Sequence, residues 1–394
     1  MSVKRVLVLA PRLPYPPLGG DRLRIYQICK YLSGQFELSL LSLCETAAEI
    51  EQPIPNDGIF ARIERVPHSR WKRFTGLIRA LPTSLPMQVG YYHNAEFARK
   101  ACAMASAHDA ALAHLVRTAE YLLPCRLPKV VEMTDAISLT YARTANHLNG
   151  PKSVAYRAEA RRLRRFEKRV IHVCDRTVLV SSVDRDSLDL GNDARKVLIC
   201  SNGVDTQALP FEYAPDGRTI VFIGKNLSRP NVDAITYFAQ ELLPVVRARA
   251  PQARFKVVGE IRPELAERLR TQGIEATGRV ESMREATRGA SVGVCPMRFG
   301  AGVQNKLLEY MSLGIPAVTS PIGLEGLEAI PGRHLAVATT PEEWGNSIAA
   351  FLQHPEQGQS LAVTARRFVG EHHSWEAHLA PLGKAILQVV EGSE

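Results

Sequence analysis

Residues 298–320 read RFGAGVQNKLLEYMSLGIPAVTS, a short stretch that opens with two closely spaced glycines, followed by an amide pair, a lysine and a glutamate. The preceding SVGVCP has the pattern of a buried strand, RFGAG of a loop at its carboxyl end, and QNKLLEYMSLG of a helix stopped by Gly314. Gly300 and Gly302, with Ala301 between them, let the backbone curl around a ligand. Val303, Gln304 and Asn305 then lead into a helix whose first N–H groups are unpaired and whose dipole is positive at that end. A diphosphate suits that field. Lys306 adds charge in the first turn, and Glu309, three residues on, shares its face and can accept hydrogen bonds from sugar hydroxyls. The competing reading is a solvated Lys306–Glu309 pair beside an ordinary glycine-rich loop.

Four further stretches carry enough chemistry to weigh. Gly19 and Gly20, in RLPYPPLGGDRLR, lead into a helix and allow close backbone approach to an anion. They lack the G-x-G-x-x-G spacing of a dinucleotide fingerprint, and a plain turn is the alternative. Asp184 and Asp186 have the D-x-D spacing of a metal site, but they follow RTVLVSS, where Ser181 or Ser182 caps a helix and the aspartates complement its dipole. No metal is expected there. In RAEARRLRRFEKRV, residues 157–170, Leu163, Phe166 and Val170 form an apolar face with the arginines largely opposite. That pattern describes a packed helix with a solvated basic side, and nucleic acid is not an expected partner. In SRWKRFTGLIRAL, Trp71, Phe74, Ile78 and Leu81 form one stripe flanked by Arg70, Lys72, Arg73 and Arg79. This composition suits contact with an anionic membrane, and a helix packed in the core is the alternative.

These residues need a scaffold, and the rest of the chain supplies its outline. The 394 residues are enough for two ordinary domains, and 45% apolar with 23% charged residues is the balance of a globular chain. A net charge of +9 favours an anionic partner. The seven cysteines are scattered without a C-x-x-C pair, which suggests neither a disulfide framework nor a zinc site and points to a reduced, cytoplasmic setting. The apolar run VLVLA near the start is too short for a signal peptide, and no run approaches the length of a membrane span. Any membrane contact is therefore expected to be peripheral, at the inner face of the plasma membrane.

Short apolar runs alternate with helical patterns: KRVLVLAP, FELSLLSL, DAALAHL, KVVEMTD, RTVLVS and KVLIC, then TIVFIG, RFKVVG, IEATG, SVGVCP and PAVTS. The alternation predicts α/β domains with parallel sheets. Residues 201–218, rich in Gly, Pro, Asp and Asn, read as a linker. A helix is expected from about Asn231 to Arg249, with further helices from about Pro341 onward.

The stretch G-x-G-V-Q-N-K-L-L-E-Y-M-S-L-G-I-P-A-V resembles the donor-site signature of retaining GT-B glycosyltransferases of family 4, and PYPPLGGDRLR, AHLVRTAEY, SNGVD and FIGKNLSRPNVDAITYF extend the resemblance over nearly the whole chain. It implies two Rossmann-like domains facing each other across a cleft. An acceptor-binding domain would span residues 1–204, a nucleotide-sugar domain residues 205–373, and a last helix, residues 374–394, would cross back to the first. By the same resemblance Glu309 holds the nucleotide ribose, as the second glutamate of an E-x7-E motif whose first position is Ala301 here, so backbone groups of the GAG loop take over near the donor sugar. Lys225 would pair with the diphosphate, with Arg229 or Lys306 replacing a second lysine, and His114 would face the donor sugar and its phosphate.

The implied activity is transfer of a sugar from a nucleoside diphosphate sugar to a hydroxyl of a glycan or lipid-linked glycan acceptor. Neither a metal nor a cofactor beyond that co-substrate is expected. An epimerase or hydrolase on the same scaffold, and a non-catalytic sugar-nucleotide-binding protein, are the alternatives.

Overall fold

A computed structural model describes residues 3–17 and 19–392. Leu18, within the PYPPLGG stretch, and Met1, Ser2, Ser393 and Glu394 lie outside the described residues. The chain divides into two compact units, Met1–Ser201 with His378–Glu394, and Asn202–Ala377.

The first unit is built on an all-parallel sheet in the order β3-β2-β1-β4-β5-β6-β7. Its strands are β1 (Arg5–Ala10), β2 (Glu37–Cys44), β3 (Arg62–Pro67), β4 (Ala110–His114), β5 (Lys129–Thr134), β6 (Arg176–Leu179) and β7 (Val197–Ile199). β1, β2 and β4 are buried almost throughout, as strands covered by helices on both faces must be. Leu7, Leu9, Leu41, Leu43, Ala111 and Val131 continue into a core completed by Phe97, Leu163, Phe166 and Val170 from the surrounding helices. β3 was not among the expected strands. It is an edge strand whose sequence RIERVP buries only Val66 fully, so no apolar run marks it.

The second unit carries an all-parallel sheet in the order β10-β9-β8-β11-β12-β13. Its strands are β8 (Thr219–Ile223), β9 (Arg254–Val258), β10 (Glu275–Ala276), β11 (Val292–Cys295), β12 (Ala317–Thr319) and β13 (Ala336–Val337). The helix expected over residues 231–249 is a continuous helical stretch in three parts: α-helix Arg229–Tyr237, a π-helical turn Phe238–Leu242, and α-helix Leu243–Arg249. The wide turn sits just before Pro244, which has no N–H to donate and whose ring crowds the preceding turn.

In both sheets the strand order reverses at one place, between β1 and β4 in the first and between β8 and β11 in the second. In an open parallel sheet the carboxyl ends flanking such a reversal leave a crevice for ligands. Arg12 and His114 border it in the first unit, and Gly224–Lys225 and the Gly300 loop border it in the second. The last helix, Trp375–Glu391, reaches into the first unit, where Gly383 lies so close to helix Gly20–Leu32 that a Cβ there would meet Tyr31 at 3.1 Å.

Candidate functional site

Helix Asn305–Leu313 begins directly after the glycine-rich loop and ends at Gly314, which takes the left-handed conformation, φ 81°. Gly300 and Gly302 have φ of 145° and 73°, values that residues with a Cβ rarely adopt, so the loop needs its glycines. Among the described residues no side chain caps the helix; the Leu307 amide donates to the Gln304 carbonyl at 2.9 Å, and the rest of the helix's N-terminal end opens toward the loop. Arg298 fixes the loop from behind: it donates to both oxygens of Asp233, at 2.9 and 2.7 Å, and stacks on Tyr237. Asn305 accepts a hydrogen bond from Asn202 of the linker stretch at 2.6 Å.

Lys306 is 6% exposed. Its ammonium donates to Asn231 Oδ1 at 3.2 Å and Gln304 Oε1 at 3.1 Å and lies over the Phe222 ring. Both acceptors are neutral amides, and among the described residues Lys306 makes no ion pair. A buried cation without a carboxylate partner is uncompensated, and an incoming anion would supply the missing counter-charge. The solvated Lys306–Glu309 pair is therefore not formed. Glu309 is half-buried, and burial pushes its carboxyl up to about 7 against the opposing charge of Lys306.

Gly224, with φ 139°, passes 3.9 Å from the Lys306 stem when its missing Cβ is built, which places the end of β8 against the same pocket. Lys225 follows it, exposed, its carbonyl accepting from Asn231 at 3.0 Å. Arg229 opens helix Arg229–Tyr237 and is exposed. Asn226 is fully buried with Oδ1 unpartnered. The second unit thus gathers Gly300, Ala301, Gly302, Val303, Gln304, Asn305, Lys306 and Glu309 in one loop and helix, and sets the Lys225 segment and Asn231 beside them.

The first unit holds the remaining expected residues. Gly19, φ 90°, precedes helix Gly20–Leu32, which likewise has no side-chain cap. His114 ends β4 in register with Glu132 on β5. Its Nδ1 donates to Glu132 Oε2 at 2.6 Å, and its Nε2 is buried and unpartnered. Glu132 in turn accepts from Arg24 Nε at 2.7 Å and from the Thr134 amide at 2.8 Å, while Arg24 also donates to the carbonyls of Cys200 and Ser201. Burial would raise the Glu132 carboxyl, but Arg24 and His114 outweigh it and hold it at about 2. Leu115 and Thr134, which follow His114 and end β5, have φ of 63° and 66°, unusual strain for non-glycine residues at two neighbouring strand ends. Glu132 and Arg24 were not expected. The signal was an acidic residue inside the apolar run KVVEMTD.

The other expectations resolve as follows. Ser181 caps helix Ser182–Leu188, and Asp184 accepts from the Ala136 amide at 3.0 Å, so Asp184 is committed to local structure. Among the described residues no group of three or more His, Cys, Asp or Glu is placed to hold a metal ion. Leu163, Phe166 and Val170 of helix Pro151–Val173 face the core of the first unit, with Arg161, Arg164 and Arg165 exposed. In helix Arg70–Ala80 the stripe Trp71, Phe74, Ile78 and Leu81 faces outward, Trp71 being 77% exposed, and the helix packs instead through Gly76 and Ala80. The core reading of that stripe is excluded. Arg70 is exposed beside it, while Lys72 pairs with Glu96 at 3.6 Å. Arg73 departs from the expected outward position, turning in to meet Glu45 at 3.4 Å and Tyr91 Oη at 2.9 Å. Among the described residues no helix is long and apolar enough to cross a membrane.

Comparison with known proteins gives this geometry a context. Residues 217–354, the sheet and helices around Lys306, match the family described as Glycosyl transferases group 1. Solved structures resemble almost the whole chain: Anabaena Alr3699/HepE in complex with UDP, with a TM-score of 0.68 at 15% identity over 98% of this chain and 100% of that one; and sucrose-phosphate synthase from Thermosynechococcus elongatus, with a TM-score of 0.73 at 14% identity over 99% and 100%. S. aureus TarM, as a variant in complex with fondaparinux, α-GlcNAc-glycerol and UDP, gives 0.69 at 10% identity over 98% and 100%. At such identities the likeness establishes the fold, and it is the GT-B glycosyltransferase fold. The match to glycosyl transferases group 1 covers the 217–354 segment, about a third of the chain. A Klebsiella pneumoniae protein, described as an uncharacterized 44.6 kDa protein in the cps region, is 21% identical over 176 residues, 42% of this chain and 45% of its own length. The chain thus spans under half of that curated relative.

Proposed function

We propose that the protein is a retaining glycosyltransferase that moves a sugar from a nucleoside diphosphate sugar to an acceptor hydroxyl in the assembly of a cell-surface polysaccharide or glycolipid. The observation that carries this reading is Lys306, a buried ammonium held by neutral amides at the open end of a helix, beside the Gly300–Gly302 loop. The leaving group of the reaction is a diphosphate, and catalysis consists largely of stabilising the charge that develops on it. Lys306, Lys225 and Arg229 supply cations, and the helix N–H groups supply donors. These groups do the work that a metal ion does elsewhere, so the proposal requires neither metal nor cofactor.

Glu309 accepts the ribose hydroxyls, and the backbone of Gly300, Ala301 and Gly302 borders the donor sugar. His114, with Nδ1–H committed to Glu132, presents the Nε2 lone pair to a sugar hydroxyl. The Gly19–Gly20 turn offers its helix amides to the diphosphate. Retention requires the acceptor to enter on the face from which the diphosphate departs. The departing oxygen is then the nearest base for the acceptor's proton. The relatives lend support: two of the proteins of this fold were solved with UDP, and the Klebsiella relative lies in a cps region. The outward stripe of helix Arg70–Ala80 supports an acceptor met at an anionic membrane surface on the cytoplasmic side.

The test is incubation with a panel of nucleoside diphosphate sugars and a membrane extract as acceptor source, followed by NMR of the product. Release of nucleoside diphosphate together with a glycoside of the donor's anomeric configuration is expected. Saturable binding without release would instead identify a sugar-nucleotide-binding protein, and release without a glycoside a hydrolase.

A further inference from the structure

Glu45 and His68 directly follow β2 and β3, and Arg12 comes two residues after the adjacent β1, so the three meet at the carboxyl ends of neighbouring parallel strands. Arg73 joins them from helix Arg70–Ala80. The cluster is closed by the rings of Tyr91 and Tyr92, 5.0 Å apart, with Arg73 over the first at 5.6 Å and Arg117 over the second at 5.2 Å. His68 is 1% exposed and stacks on Tyr92.

What distinguishes this cluster is what it leaves unmade. Arg12 Nε, Glu45 Oε1 and His68 Nδ1 are all buried without a hydrogen-bond partner. Arg12 is anchored by Asp21 at 3.1 Å, but the pairs to Glu45 are loose: Arg12 Nε at 3.6 Å and Arg73 at 3.4 Å, both beyond ordinary charge-assisted hydrogen bonds. His68 Nε2 donates to the Tyr91 carbonyl at 2.8 Å, which leaves Nδ1 as an acceptor. The unmade set therefore contains one cationic donor and two acceptors. Buried polar groups in native proteins are paired, and a concentration of unpaired ones asks for a ligand.

An inorganic anion answers only the arginines, and a plain sugar answers only Glu45 and His68. From this complementarity we infer that the cluster binds a phosphosugar, with phosphate oxygens on Arg12, Arg73 and Arg117 and sugar hydroxyls donating to Glu45 and His68. Resting on the glycosyltransferase reading, the inference makes the acceptor a sugar that carries a phosphate. The same chemistry is found in a soluble sugar phosphate and in the head group of a lipid-linked one. The apolar stripe of helix Arg70–Ala80, on the side away from Arg73's inward contacts, favours the lipid source.

The test is hydrogen exchange on the full chain, reading peptides over residues 87–94 for this cluster and residues 300–310 for the proposed nucleotide site. Three soluble probes are compared: glucose 1-phosphate, methyl glucoside and inorganic phosphate. Protection of 87–94 by glucose 1-phosphate alone, weakened about tenfold or more in Arg12→Gln and in Arg73→Gln, is expected, since each removes a charged hydrogen-bond donor. Glu45→Gln should weaken glucose 1-phosphate through its sugar hydroxyls without creating affinity for phosphate. Urea unfolding of each variant verifies that it is folded. No protection at 87–94, protection by all three probes alike, or unchanged affinity in both arginine variants would overturn the inference. Nucleotide protection at 300–310 reports on the glycosyltransferase reading separately. A farnesyl-linked phosphosugar in phosphatidylcholine vesicles then fixes the source: tighter binding than glucose 1-phosphate assigns the lipid-linked acceptor, and equal binding assigns the soluble one.

Discussion

His114 and Glu132 stand side by side on adjacent parallel strands, with imidazole Nδ1 2.6 Å from the carboxylate, and Arg24 closes on the same carboxylate at 2.7 Å. All three side chains are essentially buried. A charge pair taken this far out of water is held together by its full set of hydrogen bonds, and breaking one partner strands the other.

Replacing Glu132 by Gln leaves the Arg24 guanidinium buried without a counter-charge, at an expected cost of about 3–5 kcal/mol. The folded-state pKa of about 2 lies below the ordinary 4.5, so Glu132 contributes stability above about 4.5 and loses it as pH falls toward about 2. Urea unfolding of both proteins as a function of pH checks this. The difference between them should narrow through that window, and a difference independent of pH would remove the assignment.

Glu309 shows the opposite sign. Its folded pKa, raised to about 7 by burial, makes its contribution to stability present below about 4.5 and lost as pH rises through about 7. Glu309→Gln should therefore gain stability relative to the wild type between pH 5 and pH 8, read on the scale of about 1.4 kcal/mol per pKa unit of displacement. Nucleoside affinity, free of any phosphate titration, should strengthen through pH 7 in the wild type and stay flat in the variant. Parallel pH curves for the two proteins would argue against ribose binding by Glu309.

Helix Arg70–Ala80 is seated by the contact of Gly76 with Gly90, where a Cβ on Gly76 would come within 2.1 Å of the Gly90 carbonyl oxygen. Gly76→Ala forces this helix away from helix Met87–Tyr91, which carries Gly90, and should cost about 1–3 kcal/mol. Thr75→Ala, at an exposed neighbouring position, should stay within about 0.5 kcal/mol. Equal thermal midpoints for the two variants would show that the helix does not depend on this contact.

The sequence made legible whatever depends on local pattern. β1, β4 and β8 appear as apolar runs and β2 as one interrupted only by Ser39 and Ser42, and the glycine loop with its helix appears as a strand, a breaker and a periodic segment ending at Gly314. What it hid depends on pairing across distance. Lys306 was marked as a site residue, but its amide partner Asn231 lies 75 positions away, and nothing in the local spacing announces a buried ammonium without a carboxylate. Glu132 and Arg24, 108 positions apart, were equally silent. The stripe Trp71, Phe74, Ile78 and Leu81 is visible in the sequence, but its direction is set by Gly76 and Ala80, small residues whose packing role the pattern does not announce. Arg73 was turned inward by the same packing.

The most direct measurement of the central claim is calorimetric binding of a nucleoside diphosphate and the matching monophosphate to wild-type protein and to Lys306→Met. If Lys306 neutralises the donor diphosphate, the variant loses about tenfold or more in affinity for the diphosphate while the monophosphate changes by about twofold at most. Equal losses for both nucleotides, or no loss for either, would contradict the account.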